Sequence, residues 1–485
     1  MKQKKNILLF GITMILSLII LYFFVTGYYS VDTIRIWSQG WIDYATKDAY
    51  IRDGRLFSAL IFTIVGLFDP PIMVVYIVNI ILAIIILSVC VIQIYQLIER
   101  YKTLGKTKNK IIAFILSYTY IFNFLVVDIL QFVDSFIIAT SILLFIIAIK
   151  KIIVDKKNKV GFLLTILGVI CYQGTIPVYI ATAILVTLLE NKKINKEYFK
   201  TIMPCAISIL ISAIFSVLIV NLVPIVTNIE ISEVLQKMDY LRNIKVNLSD
   251  MPQIVFGTFY LFPPYVWIGI ALFTIAISGI YGIKKKNIQM PIYVLMIFMA
   301  YIATLIIMLP LKQFTMHPRI AFVLGQVVSA MLIYIYCNNF KDKKMNIYEK
   351  IIVGVISIYF IVTIISIFKS TYEYKLANTI DEEFSQKIEN EIVKLEEQGI
   401  TINKIGINYT GNGINIKKYG PLVIKESKYI SGLYVVALHE FYTGRKISSS
   451  LLLTEEQKES YFDCTNTEEI QFKNVEDILY ILINL

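Results

Sequence analysis

The polar side chains of this 485-residue chain gather in short segments that interrupt long apolar runs. The densest is Tyr28-Tyr29-Ser30-Val31-Asp32, followed by Arg35, Trp37, Trp41, Asp43, Asp48, Arg52, Asp53, Gly54 and Arg55. Asp32 and Arg35 stand three apart, one turn if the segment is helical. On that helix Trp37 and Trp41 would form an aromatic stripe at a membrane interface. A second segment, Asp128-Ile-Leu-Gln131-Phe-Val-Asp134, spaces two acids and an amide at i, i+3 and i+6, so a continuous helix would carry all three on one face. It holds no Lys or Arg, so local salt bridging does not account for its carboxylates. Cys171-Tyr172-Gln173-Gly174-Thr175-Ile176-Pro177 reads as a tight hairpin broken by Gly and Pro, with Tyr172 and Gln173 as hydrogen-bonding groups. In Lys312-Gln313-Phe314-Thr315-Met316-His317-Pro318-Arg319, the side chains of Lys312, His317 and Arg319 could hold a phosphate.

Carboxylates facing Arg and Lys suit transfer of a group from a lipid phosphate. One carboxylate takes the proton of an acceptor hydroxyl, and the cations stabilise charge developing on the departing phosphate. The chain has no His/Cys cluster of metal-binding spacing, no glycine-rich phosphate loop, and too few His for an arguable Ser-His-Asp set. No cofactor is expected, no metal-ligating residues are identified, and the sequence does not decide whether a metal is used. The Lys237, Arg242 and Lys245 run reads as a solvated face. A transporter of lipid-linked oligosaccharide would need charged groups through both leaflets, and a proton-coupled one carboxylates near the midplane. Here the decoration lies only at one set of span ends. A glycan polymerase or ligase is the weaker alternative.

The elements that must position these groups are membrane helices. The chain is 57% hydrophobic and 17% charged, with a mean hydropathy of +0.69; a soluble domain carries about 25% charged residues. Eleven runs near the ~20 residues needed to cross a bilayer lie at Ile7–Val25, Ile72–Tyr95, Ile111–Val127, Ile129–Ala148, Val160–Tyr172, Ile176–Leu189, Thr201–Val223, Pro264–Ile283, Met290–Leu309, Ile320–Cys337 and Ile351–Phe368. Leu56–Phe68, Ile225–Leu235 and Ile254–Phe262 are shorter and read as re-entrant or interfacial. With the Lys2/Lys4/Lys5 end cytoplasmic, inner segments hold 24 Lys and Arg against 9 in the outer loops before the tail. That is the positive-inside pattern. The first run reads as a retained signal anchor, and the five Cys as buried small hydrophobes. Residues 1–369 hold 34 Lys and Arg against 17 Asp and Glu, and residues 370–485 hold 12 against 18. Positive charge in short clusters argues against nucleic acid. The expected organisation is an all-α polytopic membrane domain over 1–369 and a small extracytoplasmic α/β domain over 370–485. In the tail a Thr379/Glu382 capping box would start a helix through Leu395 with Ile388, Ile392 and Leu395 on one face, stopped at Gly399. Strands would follow at Ile400–Tyr409 and Leu422–Ile424, with a turn at Thr410–Gly413 between them. Gly432–Tyr442 could be helical, and His439-Glu440 reads as structural.

An Asp just after the first span, a Trp-bearing outer loop, Gly54-Arg55 opening the next apolar run and Tyr172-Gln173 before an outer turn resemble the Gtr-type bacterial membrane glucosyltransferases. These are serotype-converting enzymes of O-antigen and related surface glycans, themselves similar to the wider GT-C superfamily. The resemblance covers roughly residues 7 to 370. It implies a bacterial cell-membrane enzyme with its N-terminus cytoplasmic. Such an enzyme moves glucose, with inversion, from a polyprenyl-phosphate carrier to a glycan acceptor at the outer face. It also implies Asp32 as general base. Arg35, Arg55, His317 and Arg319 would hold the donor phosphate, with Lys312 beside them. Asp53, Asp128, Gln131, Asp134, Tyr172 and Gln173 would complete the substrate pocket. Many relatives carry paired acids after the first span where this chain has Val31-Asp32-Thr33, so Asp53, Asp128 and Asp134 stand as alternative bases.

Overall fold

In lipid the backbone has no water to bond, so spanning segments satisfy their amides internally. In the computed structural model the apolar runs are accordingly helices. It describes residues 2–102, 104, 107–227, 244–245, 248, 261–308, 319, 321–340, 346–410, 418–432, 434–466 and 468–484. Among these, eight helices are long and apolar enough to cross a membrane: Gln3–Ile20, Ile72–Tyr101, Ser135–Val154, Gln173–Asn191, Lys196–Ile219, Pro264–Lys284, Gln289–Ile306 and Ile347–Glu397. The other three expected crossings form shorter helices, Thr107–Ile121, Asn158–Cys171 and Phe322–Asn339. The first ends where Asn123 folds back and its Oδ1 accepts the Leu125 N–H at 3.0 Å. Leu56–Gly66 is an 11-residue helix, about 16 Å long against a core of about 30 Å. Most of Ile225–Leu235 and of Ile254–Phe262 lies outside the described residues, as do Lys237, Arg242 and the expected turn after Thr410.

Contacts divide the chain into two compact units, Met1–Val25 with Trp41–Lys369 and Thr26–Gly40 with Ser370–Leu485. In the first, Ser135–Ile149 and Asn158–Cys171 pack antiparallel through two glycines. Gly161 sits against Ile152 and the Ala148 carbonyl, and Gly168 lies on the Phe145 ring, where an added Cβ would stand 2.4 Å from Cε1. Ser141 Oγ donates to the Gly168 carbonyl at 2.7 Å and lies 2.6 Å from the Thr175 hydroxyl. This pairing brings the residue before one helix, Asp134, and the residue after the other, Tyr172, to the same end. From Ile72–Tyr101, Asn79 Nδ2 donates to the Val133 carbonyl at 2.7 Å and fixes the turn beside Asp134. Cys90, Cys171 and Cys205 are buried thiols, as expected, whereas Cys337 and Cys464 are only partly buried.

The second unit is α/β. Its sheet runs β2-β1-β4-β3, with β1 Lys404–Thr410, β2 Ser448–Ser449, β3 Ile470–Val475 and β4 Ile478–Asn484. β1 is parallel to β2 and β4, and β3 is antiparallel to β4. Ile380, Phe384, Ile388 and Ile392, four or so apart on one helix face, pack with Ile405, Ile407, Leu479 and Ile481, and Ile34 joins the same core. The helix Val31–Gln39 starts at Ser30, whose hydroxyl accepts the Thr33 N–H while the Thr33 side chain caps Ser30 in return. Asp381 is buried. It accepts from Ser427 Oγ at 2.6 Å and from the Lys428 and Tyr429 amides, and Lys428 Nζ lies 3.6 Å away.

Three expectations are corrected. Thr379 does not cap a helix start: Ile347–Glu397 runs unbroken for 51 residues, its tertiary packing overriding the local capping signal. Leu422–Ile424 lies in a short helix, Pro421–Glu426, begun by Pro at its first turn. Trp37 and Trp41 do not form one stripe, because the chain turns at Gly40. Trp37 meets Phe441 edge-on at 5.4 Å, whereas Trp41 is buried and stacks on Phe62.

Gly168→Ala should cost about 1–3 kcal/mol through overpacking against Phe145, read as a lowered unfolding midpoint in detergent; Gly168→Ala with Phe145→Leu should recover part of it. A second expectation concerns pH. Burial lowers the pKa of His439; Glu389, 3.2 Å away, opposes this but is already engaged by Arg445 at 2.8 and 2.9 Å. The unfolded chain therefore takes up the proton first. Stability from this site is complete above about pH 6.5 and is lost as pH falls, by at most about 1.4 kcal/mol per unit. Between about pH 7.5 and about pH 5.5 the wild-type unfolding midpoint should drop more than that of His439→Leu; equal drops would place the acid sensitivity elsewhere.

Candidate active site

Eight of the candidate residues meet at one end of the first unit's helices. Arg55 ends the loop of the first polar segment. Gly54, with φ +69°, takes the left-handed turn a side chain resists. The Arg55 amide donates to the Tyr50 carbonyl at 2.8 Å, and helix Leu56–Gly66 then begins. The guanidinium reaches Asp134 Oδ2 at 3.5 Å and Asp53 Oδ2 at 3.4 Å and lies over the Tyr172 ring, 5.2 Å from its centre. Burial works against the Arg55 charge, but Tyr172, Asp134, Asp53 and Tyr50 outweigh it and raise its pKa above the ordinary value.

Arg319 meets the Tyr172 hydroxyl. Its Nε donates to the Tyr172 hydroxyl at 3.2 Å, its backbone amide to Asp128 Oδ2 at 2.7 Å, and its Nη1 lies 3.9 Å from the same carboxylate. The guanidinium stands 4.2 Å from the centre of the Phe132 ring. Gln131 donates to Asp128 Oδ1. Gln173 Nε2 donates to the Gly54 carbonyl at 2.9 Å and to Ser216 Oγ at 3.2 Å, tying the 172–175 turn to the Gly-Arg pair.

The side chains of Asp128 and Asp134 are each 3% exposed, whereas Asp53 is 36% exposed. Each buried carboxylate faces a guanidinium from a distant segment, so the 128–134 string is explained by long-range pairing. Asp128, Gln131 and Asp134 do not share one helical face. Asp128 is in the helix Val126–Leu130, Gln131 follows its last turn, and Asp134 precedes Ser135–Ile149; the break between them, held by Asn79, is what aims the two acids at two different arginines.

Asp32 and Arg35 belong to the second unit, on the helix Val31–Gln39, with Arg35 Nη1 3.5 Å from Asp32 Oδ1 and the guanidinium carbon 5.6 Å from the Tyr434 ring centre. Lys312 and His317 lie outside the described residues. Sequence reasoning passed over Phe132, Ser216 and Asn79. Asn79 carried a usable signal, being an amide inside an apolar run; Ser216 carried none. Among the described residues no group of three or more His, Cys, Asp or Glu is arranged to hold a metal ion.

No curated protein and no solved structure matches the chain. A family model described as glucosyl transferase GtrII matches residues 21–330. That is more than half of the chain, and it includes every candidate site residue from Asp32 to Arg319. The protein thus belongs to the glucosyl transferase GtrII family and is a glycosyltransferase.

Proposed function

We propose that the protein transfers glucose from a polyprenyl-phosphate carrier to a surface glycan at the outer face of a bacterial membrane, with eleven crossings, a cytoplasmic N-terminus and an extracytoplasmic tail that positions the acceptor. The observation that carries this reading is the pair of guanidinium groups that meet at Tyr172, Arg55 over its ring and Arg319 at its hydroxyl. Asp134 precedes Ser135–Ile149, and the Lys150–Lys159 segment follows it. The cluster therefore sits at the opposite end of its helices from the basic loops, the end that the positive-inside rule assigns to the exterior.

In the reaction the acceptor hydroxyl oxygen attacks the anomeric carbon, and the bond from that carbon to the phosphate oxygen breaks. The electron pair leaves with the carrier phosphate, and a carboxylate takes the hydroxyl proton. Arg55 and Arg319 stabilise the charge gathered on the leaving phosphate, with Lys312 and His317 as further donors. Asp128, Gln131, Asp134, Tyr172 and Gln173 form the sugar pocket, and Arg35 assists Asp32.

Asp32 is the base that the family resemblance implies. Asp53 is favoured by a separate observation: it is the exposed partner of Arg55 in the cluster. A donor phosphate taking its place on Arg55 would release that carboxylate to accept a proton. Asp128 and Asp134 are poorer bases, being buried and committed to arginines.

Arg55→Gln should lower glucose transfer about 10²–10³-fold, assayed with polyprenyl-phosphate glucose in proteoliposomes. Asp32→Asn and Asp53→Asn separate the two bases: the true one should cost about 10²–10⁴-fold in rate, with the other variant far milder. Unaltered transfer in both would remove general-base catalysis by these residues.

A further inference from the structure

Far along the same helices, a groove of about 870 Å³ lies between Asn158–Cys171 and Lys196–Thr227. This is within the usual range for a small-molecule site. Lys159, Lys196 and Lys200 form one rim, and the walls are apolar, with Phe162, Met203 and Ile207 prominent. All three lysines are exposed, and among the described residues no carboxylate pairs with any of them. Both helices begin at this rim, so their positive ends add to the ammonium charge.

The wall residues of the second helix recur at helical spacing from Lys196 to Ile211. That stretch is about 22 Å long, enough for a headgroup and a leaflet of about 15 Å of hydrocarbon. Exposed apolar residues alone would mark an ordinary lipid-facing surface. A concave one, bordered at its polar end by three lysines, has the charge and shape of a receptor for an anionic amphiphile.

We propose that this groove binds an anionic phospholipid from the leaflet facing the 155–159 and 192–200 segments. The phosphate lies on the three lysines, with one acyl chain along Phe162, Met203 and Ile207. Basic pockets between membrane helices recognise such headgroups, at about tenfold or less in affinity per lysine. The site lies at the opposite helix ends from the arginine cluster, and its occupancy does not depend on the transfer reaction.

The test uses the full-length protein in detergent, probed with phosphatidylglycerol and with phosphatidylcholine of the same acyl chains, and read by native mass spectrometry. Phosphatidylglycerol should bind at least tenfold more tightly than phosphatidylcholine. Lys159→Gln, Lys196→Gln and Lys200→Gln together should weaken phosphatidylglycerol binding on the order of a hundredfold. Ile207→Trp, which leaves the lysines in place and fills the groove, should also weaken it. Equal binding of the two lipids, full affinity in the triple variant, or glycerol phosphate binding as tightly as phosphatidylglycerol would overturn the proposal.

Discussion

Two guanidinium groups, 18% and 13% exposed, each face a buried carboxylate. Ion pairs of this kind gain little net stability, since desolvation offsets most of the attraction. What they fix is position. Arg55 opens a helix, Asp134 precedes another, Asp128 lies in a one-turn helix and Arg319 stands just before Phe322–Asn339. Each pair therefore ties two helix ends, and Tyr172, at the end of a further helix, ties the pairs to each other. Loss of one member would strand its partner without compensation. The cluster consequently behaves as a single object whose geometry is set by the packing of several helices.

That packing rests on small contacts. Gly168 lets the Tyr172-bearing helix lie directly on Phe145, and Ser141 bonds to the backbone of that helix and to the turn after it. Asn79 and Gln173 do the corresponding work for the 130–134 turn and the Gly54 carbonyl. The arginines themselves rest on aromatic faces, which attract a cation without competing for its N–H groups. Those ring contacts help to position the Arg55 and Arg319 side chains.

The helical runs and the residue types of the site were legible in the sequence because they follow from prohibitions. A lipid-spanning segment must be apolar and helical, so its charges collect at its ends. The pairings were not legible. Asp134 finds Arg55 79 residues away and Asp128 finds Arg319 191 residues away; neither separation leaves a local pattern. The i, i+3, i+6 reading failed for a related reason, since the periodicity assumed one helix where a turn bonded to Asn79 intervenes. Thr379 carried a true capping pattern inside a helix that packing extends through it. The grouping of Thr26–Gly40 with the tail left no sign in the composition; Ile34 enters that core with Tyr29 packed against it.

Charge in the described cluster bears on how it could treat a phosphate. Among the described residues three carboxylates face two guanidinium groups, so a phosphate held by Arg55 would replace an existing partner. Asp128 and Asp134 are buried, and Asp128 is also held by an amide and by Gln131, so neither can leave without exposing a costly vacancy. Asp53 is more exposed, is bound through a single 3.4 Å contact, and can be rehydrated when displaced. Exchange of Asp53 for a donor phosphate would leave Arg55 neutralised, keep both buried pairs intact and turn a structural carboxylate into a free one beside the reacting centre. Binding of the donor would then itself prepare the proton acceptor, a coupling that a cluster with surplus positive charge would lack.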